Sequence, residues 1–120
     1  MATSVRRAGQ ARRRADEACV RADAALVRAF DLLGKRWTGV VLGILRGGPA
    51  GFRAIARAVD GISDSVLADR LGELSDAGLV TRTVTEGPPL SVTYALTDAG
   101  RALLPALEQI TRWAEEYLPG

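Results

Sequence analysis

Fifteen of the 16 cationic side chains in this 120-residue chain are arginine, and histidine is absent. That combination suits binding better than catalysis. A planar guanidinium pairs bidentately with phosphate and with base edges. The missing imidazole removes the usual general base, a Ser-His-Asp triad and histidine metal ligands together. One cysteine, Cys19, allows neither an intrachain disulfide nor a Cys-x-x-Cys metal site. The sequence contains no Walker loop and no G-x-G-x-x-G run, so no cofactor is expected and an enzyme has no constellation to stand on.

Arginine enrichment also follows from GC-rich coding, so the placement of the arginines carries more information than their number. Arg6, Arg7, Arg12, Arg13 and Arg14 lie within residues 1–14 with no acid, a local charge of +5. The remainder holds 11 cations against all 14 acids, a net −3, so the basic character belongs to the tail. Residues 1–15 show no apolar periodicity and are expected to be a disordered, solvated arm; an arm that binds phosphate or the minor groove is the sharper alternative. Residues 16–120 suffice for one domain. No apolar run reaches the roughly 18 residues of a membrane span, and the N-terminus lacks a hydrophobic signal core, so a cytoplasmic protein without membrane contact is expected.

The elements that must position these side chains can be read from period and punctuation. Leu26, Phe30, Leu33, Trp37, Val40 or Val41, and Ile44 recur at steps of three and four, the mark of a helix face. Gly34 divides this run into predicted helices over about 22–33 and 36–46, and Gly47-Gly48-Pro49 stops the second. A short helix follows at about 52–59. Asp60-Gly61 then turns the chain, and Ser63 is an N-cap with Asp64 in the first turn, where the helix dipole favours an anion. That helix runs to Asp76, with Gly78 at the C′ position. Two helices joined by a short turn containing glycine, over about 52–77, are the sequence form of a helix-turn-helix.

The period then changes. VTRTVTE (80–86) and SVTYALT (91–97) are rich in Val, Thr and Tyr, as strands are, and Gly87-Pro88-Pro89 between them must be an exposed tip because proline has no N–H for a ladder. This hairpin, about 80–97, is a wing. Thr97 caps a helix over about 98–118, interrupted by Pro105, where a kink is expected. Its apolar stripe, including Leu107, Ile110, Trp113 and Tyr117, is wider than one seam requires. With Leu26 on the unpartnered first helix, that surplus points to a subunit interface. The fold class is therefore mainly α with a small antiparallel β-hairpin: a winged helix-turn-helix with N- and C-terminal dimerisation helices.

Four blocks in this order resemble the HxlR family of bacterial transcriptional regulators, within the MarR-like group. LLGKRWT (32–38) is similar to the family's Gly-x-x-Trp-Thr signature. GGPAGFRAIARAVDGIS (47–63) contains its Gly-Ile-Ser turn, LADRLGELSDAGLVTR (67–82) its recognition-helix block, and PPLSVTYALTDAGRALLP (88–105) its wing and the start of its last helix. The likeness covers about 17–118. It implies a homodimeric repressor or activator bound to double-stranded DNA at a two-half-site operator, under possible control by an oxidant or an unknown small-molecule effector. The helix opening at Ser63 would enter the major groove, and the wing would reach the flanking backbone or minor groove.

The resulting DNA-contacting candidates are Arg36, Arg53, Ser63, Ser65, Asp69, Arg70, Arg82, Pro88, Pro89 and Ser91. Two positions depart from the family: where many relatives carry basic residues, this chain has Ser65 and Gly72. The recognition helix holds Asp64, Asp69, Glu73 and Asp76 against Arg70 alone. Phosphate affinity is therefore expected from Arg36, Arg53, Arg82, the arm and helix N-termini. The acidity also keeps open a winged-helix module for protein–protein contacts without sequence-specific DNA binding. Arg70 reads equally as a base or phosphate contact and as a brace paired with a nearby acid. Trp37 reads as core, with a ligand-pocket role as the alternative, and Lys35 as a solvated neighbour of Arg36. Cys19 reads as a small apolar residue near the dimer interface or, by the resemblance, as an oxidant sensor.

Overall fold

The computed structural model describes residues 2–120; the side chains of residues 2–8, 19 and 22 lie outside that description. The chain forms two compact units, 1–35 and 36–120. The first is a single helix, α1 (Ala2–Leu33). It takes in residues 2–15, where the sequence reading expected an arm without regular structure. The local cause is plain: no proline occurs between 2 and 33, Gly9 is the only glycine, and alanine and arginine are strong helix formers. Leu26 and Phe30 are exposed on this helix.

The second unit contains α2 (Thr38–Leu45), β1 (Ala50–Gly51), α3 (Phe52–Ala58), α4 (Asp64–Asp76), β2 (Val80–Thr85), β3 (Ser91–Leu96) and α5 (Asp98–Tyr117). The helix expected from residue 36 starts at Thr38 instead, because Trp37 adopts a left-handed conformation (φ 79°) as its N-cap. A turn of the wrong hand resets the helical phase. The face expected to carry Trp37, Val40 or Val41, and Ile44 is accordingly displaced: Thr38, Val41, Leu42 and Leu45 are buried, Ile44 is half-buried and Val40 is exposed.

Ile55 and Val59 from α3 and its end, Leu67, Leu71 and Leu74 from α4, Val80 from β2 and Leu96 from β3 complete the core. The helix-turn-helix and the wing stand where the caps placed them. Ser63 Oγ accepts from the backbone N–H of Val66 at 3.2 Å, opening α4. At the other end Gly78 lies at φ 79°; its N–H donates to Ser75 O at 3.0 Å and that of Leu79 to Leu74 O at 2.9 Å. These two bonds make a Schellman motif, which satisfies carbonyls that the helix end would otherwise strand.

The sheet has three strands rather than the two of a bare hairpin, in the order β1-β3-β2, all antiparallel. Ala50 and Gly51 pair with Tyr94 and Thr93, so β3 is central and β1 and β2 are the edges. Val80, Arg82 and Val84 stand opposite Leu96, Tyr94 and Val92 on one face. α5 is capped by Thr97, as expected, and continues through Pro105.

Where α4, the wing and α5 meet, Gly100 is buried, and a Cβ there would run into the carbonyl oxygen of Leu79 and approach Leu96 Cδ2 to 3.1 Å. Gly100→Ala is therefore expected to lower stability by about 1–3 kcal/mol, the usual range for overpacking, although alanine is the better helix former. Urea unfolding would show a reduced midpoint with an unchanged slope. A rise in the midpoint would mean that propensity outweighs the clash.

Candidate nucleic-acid interface

The exposed surface of α3 and α4 is laid out by the core beneath it. With Leu67, Leu71 and Leu74 facing inward, the opposite stripe of α4 carries Ser65, Asp69, Gly72 and Asp76, all exposed. Ser63 is exposed at the helix start, and its Oγ lies 3.4 Å from Ser65 Oγ. Arg53, in the first turn of α3, reaches Asp64 with an Nη2–Oδ2 distance of 2.6 Å, and its guanidinium lies 5.0 Å from the centroid of the Phe52 ring. This groups Arg53, Ser63, Asp64 and Ser65 at the junction of the two helices. Both members of the ion pair are well exposed, so it orients Arg53 more than it stabilises the fold.

Arg70 turns the other way. Its Nη1 donates to both carboxylate oxygens of Glu73, at 2.8 and 2.9 Å, and its Nε donates to the carbonyl of Arg36 at 3.1 Å. The side chain is only 18% exposed. Of the two roles open to it, the geometry is that of a brace. It ties α4 to the segment ahead of α2, and the left-handed Trp37 belongs to the same construction. The Arg36 guanidinium stacks over the Trp37 ring at 4.6 Å, and the edge of that ring lies against Gly61 in the turn between α3 and α4. Trp37 is half-buried, a packing residue at a junction and not part of the α2 face.

The wing supplies a second surface. Thr85 pairs with Ser91 at its end, and Glu86–Leu90 form the tip, with Pro88, Pro89, Leu90 and Ser91 exposed. Arg82 is exposed on the edge strand opposite Tyr94.

On α5, Leu107 is half-buried, while Ile110, Trp113 and Tyr117 are exposed; the Trp113 and Tyr117 rings stand 6.3 Å apart. Together with Val40 and Ile44 from α2, Leu104, Leu107 and Ile110 line an open groove, bordered by the Arg46–Glu108 ion pair at 2.6 Å. The Cys19 side chain lies outside the described residues. Among the described residues no cluster of His, Cys, Asp and Glu is arranged to hold a metal ion, and no helix is long and apolar enough to cross a membrane.

Residues 32–120, which hold α2, the helix-turn-helix, the wing and α5, match the HxlR-like helix-turn-helix family. The chain belongs to that family. It is similar to the HTH-type transcriptional regulator YodB of Bacillus subtilis (strain 168), with 39% identity over 89 residues, covering 74% of this chain and 80% of YodB. The reduced form of YodB superposes with a TM-score of 0.72 at 37% identity, over 79% of this chain and 93% of that one. The redox regulator HypR in its oxidized form gives a TM-score of 0.74 at 29% identity, over 80% and 99% of the two chains. The protein is thus an HTH-type transcriptional regulator with an HxlR-like winged fold, and DNA binding by a dimer fits that family.

Sequence reasoning included Arg70 but not its double attachment. The spacing of Arg70 and Glu73 made the ion pair readable, whereas the Arg36 carbonyl, 34 positions away, gave no local signal. In sequence Thr97 signals a cap alone, yet its hydroxyl also donates to Gly78 O at 2.7 Å. Removing the brace should loosen α4 without removing a phosphate contact. Arg70→Ala is expected to lower stability by about 1–3 kcal/mol, since it leaves a partly buried carboxylate short of its charged partner. Arg70→Lys should rescue little of this, because an ammonium cannot serve both acceptors as a guanidinium fork does. A salt titration of DNA binding should give the wild-type slope for both variants; a slope shallower by about one would place Arg70 on a phosphate.

Proposed function

We propose that the protein acts as a homodimer on an operator of two half-sites, one α4 entering each of two successive major grooves. The observation that carries this reading is the exposed face of α4, held from behind by three buried leucines and fixed at both ends by caps. In such an arrangement the recognition helix touches base edges with its N-terminal half, while the preceding helix meets the backbone. Ser63 and Ser65 stand at that end, and Arg53 at the start of the preceding helix. Arg36, Arg53, Arg82, the arginines of the first residues and the exposed amides opening α4 supply the phosphate contacts. The wing, through Pro88, Pro89 and Ser91, reaches the flanking backbone or minor groove.

The dimer is supported by the apolar surface that each unit exposes: Leu26 and Phe30 on α1, and Ile110, Trp113 and Tyr117 on α5. Aromatic side chains such as Trp113 and Tyr117 are typical anchors of interfaces. A regulator of this kind works on chromosomal DNA in the cytoplasm. The acidic recognition helix supports the second reading, a protein-binding winged helix, and one experiment separates the two. In a mobility-shift assay with the upstream intergenic duplex, the regulator gives a selective complex whose affinity falls steeply with salt, and removal of residues 1–15 flattens that dependence. Binding no stronger than to random duplex would favour the protein-binding module.

Control by oxidation is supported by the names of its similar proteins, among them a redox regulator, and by Cys19 as the sole thiol. Oxidant treatment is expected to change operator affinity in the wild type and to leave Cys19→Ser unaffected. Equal responses in the two proteins would assign any redox effect elsewhere.

A further inference from the structure

The recognition helix presents carboxylates and a hydroxyl, not cations, to whatever lies in front of it. Its only cation, Arg70, faces inward on Glu73 and the Arg36 carbonyl. The exposed stripe is Ser65, Asp69, Gly72 and Asp76. Asp69 lies at its centre, and among the described residues no ion pair or hydrogen bond accounts for an aspartate there. It is beyond the first turn, where a carboxylate would favour the helix dipole. Its neighbours three and four positions away are Val66, Gly72, Ser65 and Glu73, none of them a cation. In mid-helix aspartate is a poor former, and beside phosphates a carboxylate is repelled.

Gly72 has the same character. A Cβ there would meet nothing within 4 Å, and its φ is not positive, so neither packing nor backbone geometry requires glycine. In an exposed helix interior glycine costs about 1 kcal/mol relative to alanine. What it provides is a bare stretch of backbone beside Asp69, across which another surface can come close.

We propose that Asp69 is a specificity-determining residue that accepts a hydrogen bond from the exocyclic amine of a cytosine in each operator half-site, with Gly72 permitting the close approach that its short side chain needs. The inference rests on the DNA-binding reading given above. In the major groove the only donors are cytosine N4 and adenine N6; guanine O6 and N7 and thymine O4 are acceptors and repel a carboxylate. Adenine N6 adjoins the acceptor N7 of its own ring, whereas cytosine N4 adjoins only a C–H. A side chain that solely accepts therefore selects cytosine. The same charge disfavours every duplex without that donor, so the helix discriminates by repulsion as well as attraction.

The full chain would be used to select binding sites from random duplexes and then titrated against each single-position variant of the selected site at fixed salt. One cytosine per half-site should stand out, its replacement by guanine or thymine weakening binding about tenfold. Asp69→Ala should lose that discrimination and keep the preferences at other positions. Asp69→Asn should move the preference to adenine, which an amide contacts bidentately. Both variants replace an exposed residue, and their thermal melts should match the wild type or exceed it. A wild-type preference for guanine at the faced position, or an unchanged preference profile in Asp69→Ala, would overturn the inference while leaving the regulator intact. No selective duplex for the wild type would overturn the regulator reading and this inference with it.

Discussion

Three elements of the winged unit are joined through one short stretch of backbone. Gly78 ends α4 in a left-handed turn, and its carbonyl accepts the Thr97 hydroxyl at 2.7 Å. The same hydroxyl oxygen accepts the Gly100 N–H at 3.1 Å, and the Thr97 N–H donates to the Leu79 carbonyl at 3.0 Å. The end of the recognition helix, the end of the wing and the start of α5 thus share a hydrogen-bonded knot a few residues wide. Gly100 allows it to close, since any side chain would strike the Leu79 carbonyl. With Gly78, Leu79, Thr97 and Gly100 all paired there, backbone hydrogen bonds add to the packing of aliphatic side chains in holding α4 against the sheet.

At its other end α4 is held by a different means. Ser63 satisfies one of the amides at the start of the helix, and the Arg70 guanidinium spans from Glu73 to the Arg36 carbonyl. The brace keeps the helix's only cation out of the solvent-facing stripe. That choice sets the electrostatics of the whole surface. A recognition helix bearing four acids does not draw in phosphate through its side chains, so in the DNA complex proposed above the attraction comes from cations on other elements, Arg53 and Arg82 among them. These act at a distance set by salt, whereas the face of α4 acts only on contact. In that complex affinity and sequence discrimination are carried by separate parts of the molecule.

The sequence made legible those features that depend on local chemistry. Ser63, Gly78 and Thr97 each signal a helix end through their own side chain or its absence, and the helix-turn-helix, wing and last helix begin and end close to where they indicate. What escaped was non-local or lacked a marker. β1 is two residues long and is a strand only because Tyr94 and Thr93 lie beside it. The face of α2 is not legible because a helix apolar nearly all round gives no clear side, and the left-handed Trp37 shifts its phase. The first residues pose the opposite difficulty: a polar, basic composition looks unstructured, while the absence of proline lets alanine and arginine continue one helix to Leu33. Within the candidate site, the residue types were legible and their directions were not. Arg70 faces inward and Asp69 outward, although they are adjacent in sequence.

The outward acids also bear on where such a protein settles on DNA. Non-specific binding rests almost wholly on phosphate contacts, and a helix that repels phosphate penalises it everywhere. A site with matching donors offsets that repulsion locally, so the ratio of specific to non-specific binding rises even where absolute affinity is modest. For a regulator facing a genome of competing sites, that ratio and not the dissociation constant decides occupancy. The proposed dimer would extend the effect, since two helices fixed at one spacing would both have to find donors, and a sequence that satisfied only one would leave the other repelled. The loss of cations from α4 therefore does not weaken recognition as such. With Asp69 in the role proposed above, it moves the free energy of binding from contacts common to all duplexes to contacts that few duplexes can make.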